Sequence, residues 1–286
     1  MSSTNLSLLV SSCDAYSDLW NPCFNLINKY WADCPLDQYL MSNELKFESN
    51  KVQTLCVGCR GNWSDELSAA LHIIPTDYVL IMLDDFFLRK KVSNDAIEYC
   101  RNFAERTEAI CVRLIPNPGP TDRLLGENII GACAPQLTYR ISTQAAIWNR
   151  KQLLKLLKPG ESIWEFEFNS NERLQMQSGV YSVWRAVLPY QGWLSHHVVE
   201  KGRWLPHEKW IYAFRQIGCN FEHRDTLPFG KLVFYHAARC IDLGLTLLPW
   251  KAKQETKQIL KRLLSPLLGA QINQLRSGAP RAPNAK

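Results

Sequence analysis

The sequence predicts an α/β fold, a mostly parallel sheet flanked by helices, and three observations carry that reading. Short aliphatic or β-branched runs alternate with helical patterns through residues 1–115, the order that a parallel sheet covered by helices on both faces requires. One run, Tyr78–Leu83, is of strand length and free of charge, as expected of a strand buried on both faces. Hydrophobic residues make up 46% and charged residues 21% of the 286 positions, which supplies a sizeable core and excludes the composition of a disordered chain. At roughly 150 residues per domain, that length makes one large or two small domains.

The elements follow in order. Residues 6–10 read as the first strand and residues 17–31 as a helix with Pro22 near its first turn. Residues 39–41 and 52–57 are two further strands. Ser64 is expected to cap the helix opened by Ser64-Asp65-Glu66-Leu67. Beyond Tyr78–Leu83, a helix is expected over 94–107 and a strand over 109–114. Pro116-Asn117-Pro118-Gly119-Pro120 breaks the alternation and reads as a loop. Residues 137–142 look like a strand, and residues 152–157 like a short helix stopped by Lys158-Pro159-Gly160. From 162 to 210 the sequence is aromatic-rich and less regular.

The net charge of +6 is unevenly spread. Residues 251–286 hold eight Lys or Arg against the single acid Glu255, whereas residues 1–250 hold 25 basic and 26 acidic residues. A neutral body is unlike that of a nucleic-acid enzyme, and a basic tail suits contact with an anionic membrane surface. Lys253, Lys257 and Lys261 recur at i, i+4 opposite a leucine-rich stripe, with Pro266 interrupting it. Such a basic amphipathic helix either lies on a membrane or docks on its own domain. The Gly/Ala/Pro-rich residues from Arg276 on read as disordered. No stretch approaches the ~20 apolar residues of a membrane span. The first residues lack the basic start and long apolar core of a signal peptide, so a cytoplasmic protein is expected, with peripheral contact at the inner face of the cytoplasmic membrane. Of ten cysteines only Cys56 and Cys59 have ligand-like spacing, and no second pair completes a zinc site; free thiols in a reducing compartment are the reading.

The sharpest chemical feature is Leu83-Asp84-Asp85-Phe86-Phe87. Two adjacent carboxylates directly after a buried strand stand at the carboxyl edge of a parallel sheet, where open α/β folds place their ligands. A divalent ion on a diphosphate needs one or two such hard oxygens, the phosphates and water completing its shell. The competing reading is a solvated loop with a helix-capping aspartate.

The chain resembles bacterial GT-A-fold glycosyltransferases of the surface-polysaccharide (capsule or O-antigen type) biosynthesis group. The resemblance rests on Ser11-Ser12-Cys13-Asp14-Ala15-Tyr16-Ser17-Asp18-Leu19-Trp20, on residues 78–88 with their paired aspartates, on Tyr139-Arg140-Ile141-Ser142-Thr143-Gln144-Ala145-Ala146-Ile147-Trp148, and on Pro159-Gly160-Glu161-Ser162-Ile163-Trp164-Glu165-Phe166-Glu167. It covers roughly residues 5–200. It implies a GT-A-like, Rossmann-type fold over 1–250, with a nucleotide-sugar half (1–115), an acceptor half (116–250) and a helical tail (251–286). It further implies transfer of a sugar from a nucleotide-diphosphate donor to a glycan or lipid-linked acceptor, assisted by Mn2+ or Mg2+. Where the family carries Asp-x-Asp, this chain has Leu-Asp-Asp, with Asp85 at the metal position and Asp84 beside it. A sugar nucleotidyltransferase is the nearest alternative, but it should carry a glycine-rich basic loop that residues 11–20 lack. A non-catalytic glycan-binding or assembly protein is the other.

The remaining candidates are placed within that frame. Ser11 and Asp14, in the loop after the first strand, meet the nucleotide or else cap the next helix. Trp63 stacks on base or sugar or belongs to the core. Among Glu161, Glu165 and Glu167, the last best matches the family's general base, with Glu165 second; an inverting transfer needs such a base on the acceptor hydroxyl. On a strand the two would share a face, and on a helix they would lie ~200° apart. The competing reading is an acidic helix N-terminus. Trp164 offers an apolar platform for an acceptor ring. Arg140, between apolar residues, needs an anionic partner, a carboxylate or a donor phosphate. His197 is a candidate metal or phosphate contact beside Asp85.

Overall fold

The computed structural model describes residues 5–232 except 138, 175–176, 191–196, 216, 229 and 231. The expected tail helix within 251–286 and His196 lie outside the described residues. The chain divides into two compact units, one formed by residues up to 197 with 216–220, the other by residues 198–215 and the chain from 221.

The first unit is built on a nine-stranded sheet in the order β3-β2-β1-β4-β8-β5-β9-β7-β6. Its strands are β1 (Leu6–Ser11), β2 (Gln38–Ser42), β3 (Val52–Cys56), β4 (Tyr78–Leu83), β5 (Cys111–Arg113), β6 (Asp122–Arg123), β7 (Ile130–Ala132), β8 (Ala146–Asn149) and β9 (Val180–Val183). Only β8 and β7 run against the other seven. The α/β class and the mostly parallel sheet are therefore as the alternation predicts. β1 is buried at every position. Its two serines are satisfied: Ser7 accepts from Thr76 Oγ1 at 2.9 Å and Ser11 from Trp63 Nε1 at 3.0 Å.

Helices cover both faces. α2 (Trp63–Ile73), α4 (Arg150–Leu156) and α5 (Ile163–Leu174) pack on one, where Leu9, Met41, Ile81, Trp148 and Phe166 share a core. α3 (Asn94–Arg106) lies on the other: Phe103 meets the Tyr181 ring edge-on at 4.9 Å, and Tyr78 Oη donates to Ala104 O. α1 (Trp20–Tyr30) follows a 3-10 turn over Asp14–Leu19 and is tied to the start of α3 by Trp31 Nε1 donating to Asn94 Oδ1 at 2.6 Å.

Three local expectations are corrected. The described residues of 137–142 form a turn and bends rather than a strand, because the backbone there is held by side chains: Ile141 N donates to Asn171 Oδ1 at 3.0 Å. Asn62, not Ser64, precedes α2; Ser64 sits inside the helix, where its hydroxyl donates to Lys158 O and accepts from Glu161 N, joining α2 to the loop before α5. The stretch after 162 is more regular than its composition suggests, since it holds α5 and the internal strand β9.

The second unit opens with the hairpin β10 (Val199–Glu200) and β11 (Arg203–Trp204), closed by Lys201 and Gly202 at φ 50° and 75°, the left-handed pair of a type I′ turn. α6 (Pro206–Phe214) starts with proline in its first turn, and Leu205, Leu227 and Leu232 form a small core. Among the described residues, no helix is long and apolar enough to cross a membrane.

Candidate functional site

The parallel ladder aligns the carboxyl ends of four strands. Ser11 pairs with Met41 on one side and Leu83 on the other, and Ser42 pairs with Cys56. Everything that follows these residues is delivered to one edge. Because β8 is reversed, its amino end meets the same edge, with Ala146 opposite both Ile81 and Arg113. Residues 143–145 therefore enter beside the loop after β4.

Asp84 and Asp85 lie in that loop, 5% and 8% exposed. The Ser12 hydroxyl donates to Asp84 Oδ2 and itself accepts from Trp20 Nε1 at 2.6 Å. Two adjacent, buried carboxylates form the hard-oxygen donor set that fits a diphosphate-bound Mg2+ or Mn2+. Among the described residues, no group of three or more His, Cys, Asp or Glu could hold a metal ion by itself, and half-buried His197 belongs to no such group with Asp85. Cys13 stands beside Asp84; burial and then that carboxylate push its thiol up to about 11, so it is no thiolate nucleophile at neutral pH.

Asp14 is committed to the backbone. Its two oxygens accept from the N–H groups of Asn43, Glu44 and Leu45 at 3.0–3.2 Å, binding the loop after β1 to the loop after β2. Asn43 returns a bond to Asp14 N and donates to Glu66 Oε1 at 2.8 Å. Trp63 packs against Phe166, ring centroids 5.2 Å apart, while its N–H reaches Ser11. It is thereby part of the wall between β1 and α5.

The acidic cluster separates into three roles because α5 is a helix. Glu161 makes a two-pronged ion pair with Arg173 at 2.7 and 2.8 Å, which holds its carboxyl below the usual range. Glu165 faces solvent and closes a capping box: Ser162 N and Oγ both donate to its Oε2, and Glu165 N donates to Ser162 Oγ. Glu167 points inward, 8% exposed. Its Oε1 accepts from Thr143 N at 2.5 Å and Thr143 Oγ1 at 2.8 Å. Burial raises its carboxyl above the ordinary carboxylate value, opposed by those two bonds and by the charge of Arg113. Trp164 and Phe168 stand one turn apart on the outer face of α5, 73% and 66% exposed.

Arg140 is buried as expected, but its partners are carbonyls rather than an anion: Nε donates to Cys133 O at 3.1 Å and Nη2 to Gln177 O. The arginine that bears electrostatically on the site is Arg113, at the end of β5 and wholly buried. It donates to the carbonyls of Pro118, Tyr139 and Arg140, and its charge acts on both Glu167 and Tyr190. Tyr190 stacks on Phe86 with centroids 4.4 Å apart, accepts from Ala145 N and donates to Gln144 Oε1, both at 3.1 Å. Tyr190 thus joins the aspartate loop to the segment entering β8. Sequence reasoning passed over both residues. Arg113 had a signal, a single charge inside the apolar run 109–115; Tyr190 had none.

No protein-family model matches the chain, and no curated protein sequence matches it. Among solved structures, S. aureus TarS 1-349 in complex with UDP is similar at 10% identity and a TM-score of 0.42, over 63% of this chain and 60% of that one. The same protein in complex with UDP-GlcNAc gives 12%, 0.40, 63% and 58%. The bifunctional IspDF from Campylobacter jejuni gives 13%, 0.38, 63% and 49%. The chain therefore spans 49–60% of the lengths of these proteins.

Proposed function

We propose that this chain is a GT-A-like glycosyltransferase that moves a sugar from a nucleotide-diphosphate donor to a glycan or lipid-linked acceptor in surface-polysaccharide synthesis, with inversion at the anomeric carbon. One observation carries the reading: the buried Asp84-Asp85 pair follows β4, and the buried Glu167 of α5 is held by Thr143, which enters the reversed strand β8 at the same sheet edge. Asp84 and Asp85 are the residues that would hold Mn2+ or Mg2+, which when bound supplies positive charge to the leaving diphosphate. Ser12 orients Asp84. Glu167 takes the proton of the acceptor hydroxyl; Thr143 occupies Oε1, so Oε2 is the receiving oxygen. Burial raises its pKa, which makes it a stronger base than an ordinary carboxylate. Glu165, turned to solvent, is a helix cap in this scheme, and exposed Trp164 remains the acceptor platform. The lack of glycine, lysine and arginine in residues 11–20 favours this reading over a nucleotidyltransferase. The basic tail, 251–286, is proposed as a peripheral contact with the inner membrane face.

Calorimetric titration with UDP-, GDP- and dTDP-sugars, with and without Mn2+, tests the reading. Metal-dependent binding of one donor by the wild type, lost in Asp85→Asn and kept in an inactive Glu167→Gln, is the expected result. Binding of no nucleotide defeats it.

A further inference from the structure

We propose that Gln144 reads the transferred sugar, its side-chain amide donating to a hydroxyl of the donor's pyranose ring. The assignment rests on the transferase reading and extends it from the diphosphate and the base to the sugar between them. In such a transfer the acceptor oxygen attacks the anomeric carbon as the diphosphate leaves, so the ring lies between the groups that serve those two ends. Gln144 stands between the same groups. The residue before it, Thr143, holds Glu167 through its N–H and its hydroxyl. The residue after it, Ala145, donates its N–H to Tyr190 Oη at 3.1 Å. Tyr190 stacks on Phe86, the neighbour of Asp85, with ring planes 2° apart. Its backbone is tied to the same loop, since Arg89 Nε donates to Tyr190 O at 2.8 Å and Arg89 N to Pro189 O at 2.9 Å.

The chemistry of Tyr190 fixes how the amide is turned. Tyr190 is wholly buried and its hydroxyl oxygen accepts from Ala145 N, so the hydroxyl hydrogen needs an acceptor; that acceptor is Gln144 Oε1 at 3.1 Å. The amide oxygen is thereby committed, and Nε2 carries the two N–H groups that remain. Among the described residues nothing accepts from them, and the side chain is half-buried rather than enclosed. A neutral donor held in one orientation, with no protein acceptor and still reachable, suits a neutral ligand oxygen. A sugar hydroxyl is such a group, whereas a phosphate would call for a guanidinium, an ammonium or a metal.

The test is titration calorimetry of the full chain in Mn2+ with UDP, GDP and dTDP, with UDP-glucose, UDP-galactose, GDP-mannose and dTDP-glucose, and with each single-deoxy form of whichever sugar conjugate binds tightest. The wild type should bind one deoxy form about fivefold or more weakly than the parent. Gln144→Met should keep the affinity for the bare nucleoside diphosphate, which also shows that it is folded, bind the parent conjugate about fivefold more weakly, and no longer distinguish it from that deoxy form. A wild type indifferent to every single-deoxy form overturns the proposal, whatever the variant does. So does a Gln144→Met protein that keeps the wild-type preference, or a folded one that loses the bare nucleoside diphosphate, which would put the amide on phosphate. Binding of no nucleotide by the wild type is the distinct result that defeats the transferase reading, and this assignment falls with it.

Discussion

Glu167 and Arg113 are coupled by burial. Removing a carboxylate from water raises its pKa, and a nearby buried guanidinium pulls it back. A raised native pKa means that the fold binds this proton more tightly than the unfolded chain does. The stability from this group is thus present at acidic pH and lost as pH rises through the native pKa. Two outcomes follow. Activity should show an acidic limb above the usual carboxylate range, and Arg113→Met, by deleting the opposing charge, should move that limb to still higher pH. The same substitution leaves the carbonyls of Pro118, Tyr139 and Arg140 without their donor, costing about 2 kcal/mol in denaturant unfolding. Glu167→Gln should melt no lower than the wild type at pH 8 yet transfer no sugar, because it replaces a buried charge by a neutral amide of the same shape. At the other half of the edge, Asp85→Asn should preserve the fold and lower turnover by at least ~10²-fold in a nucleotide-diphosphate release assay. Near-normal turnover there would remove Asp85 from the mechanism.

Among the elements, α5 decides how the acidic cluster is used. Its start is fixed by the reciprocal bonds of Ser162 and Glu165, and its body is pinned to the preceding loop by Glu161 and Arg173. Glu165→Ala or Ser162→Ala should each cost about 1 kcal/mol in chemical denaturation, while Glu165→Gln, which can still serve the box, should cost less and leave transfer intact. An inactive Glu165→Gln beside an active Glu167→Gln would exchange the two roles. The strands were the most legible part of the sequence. β1, β4 and β5 are covered on both sides, so burial itself writes the apolar runs that announce them. Residues 137–142 carry a similar run, yet those described form no strand, because Arg113 and Asn171 satisfy the backbone in place of a neighbouring strand. Asn62 outcompetes Ser64 as the residue before α2 because the Ser64 hydroxyl is taken by the loop from Lys158 to Glu161. The paired aspartates could be read as a site from their position after β4. The choice between Glu165 and Glu167 could not, since it turns on whether 163–174 is helix or strand, and its aromatic residues suit either. Arg113 was hidden by its neighbours: a three-residue strand gives too little pattern to show which way a charge points.

For the molecule as a whole, a donor held at a metal as proposed would join β1, β4 and the segment before β8, and should stabilise the unit that they share. With Mn2+ present throughout and donor near 100 times its dissociation constant under those conditions, donor linkage supplies about 2.7 kcal/mol, or about 5–10 °C in a thermal melt of a unit this size. The rise should require both components and vanish in Asp85→Asn; equal stabilisation by donor alone would show that no metal takes part. The reversed strand has a further consequence, for the order in which the protein is made. β8 lies between β4 and β5 in the sheet but follows both in the chain. On the ribosome, β4 therefore emerges and pairs with β1 while its other side stays open, and β5 has no neighbour at all until residue 149 has left the exit tunnel. For some sixty-five residues of synthesis, from Leu83 to Asn149, the nascent chain carries the bare edge of its most hydrophobic strand. A stalled or truncated chain ending near residue 145 should accordingly aggregate or recruit a chaperone, whereas one that includes β8 and β9 has closed that edge.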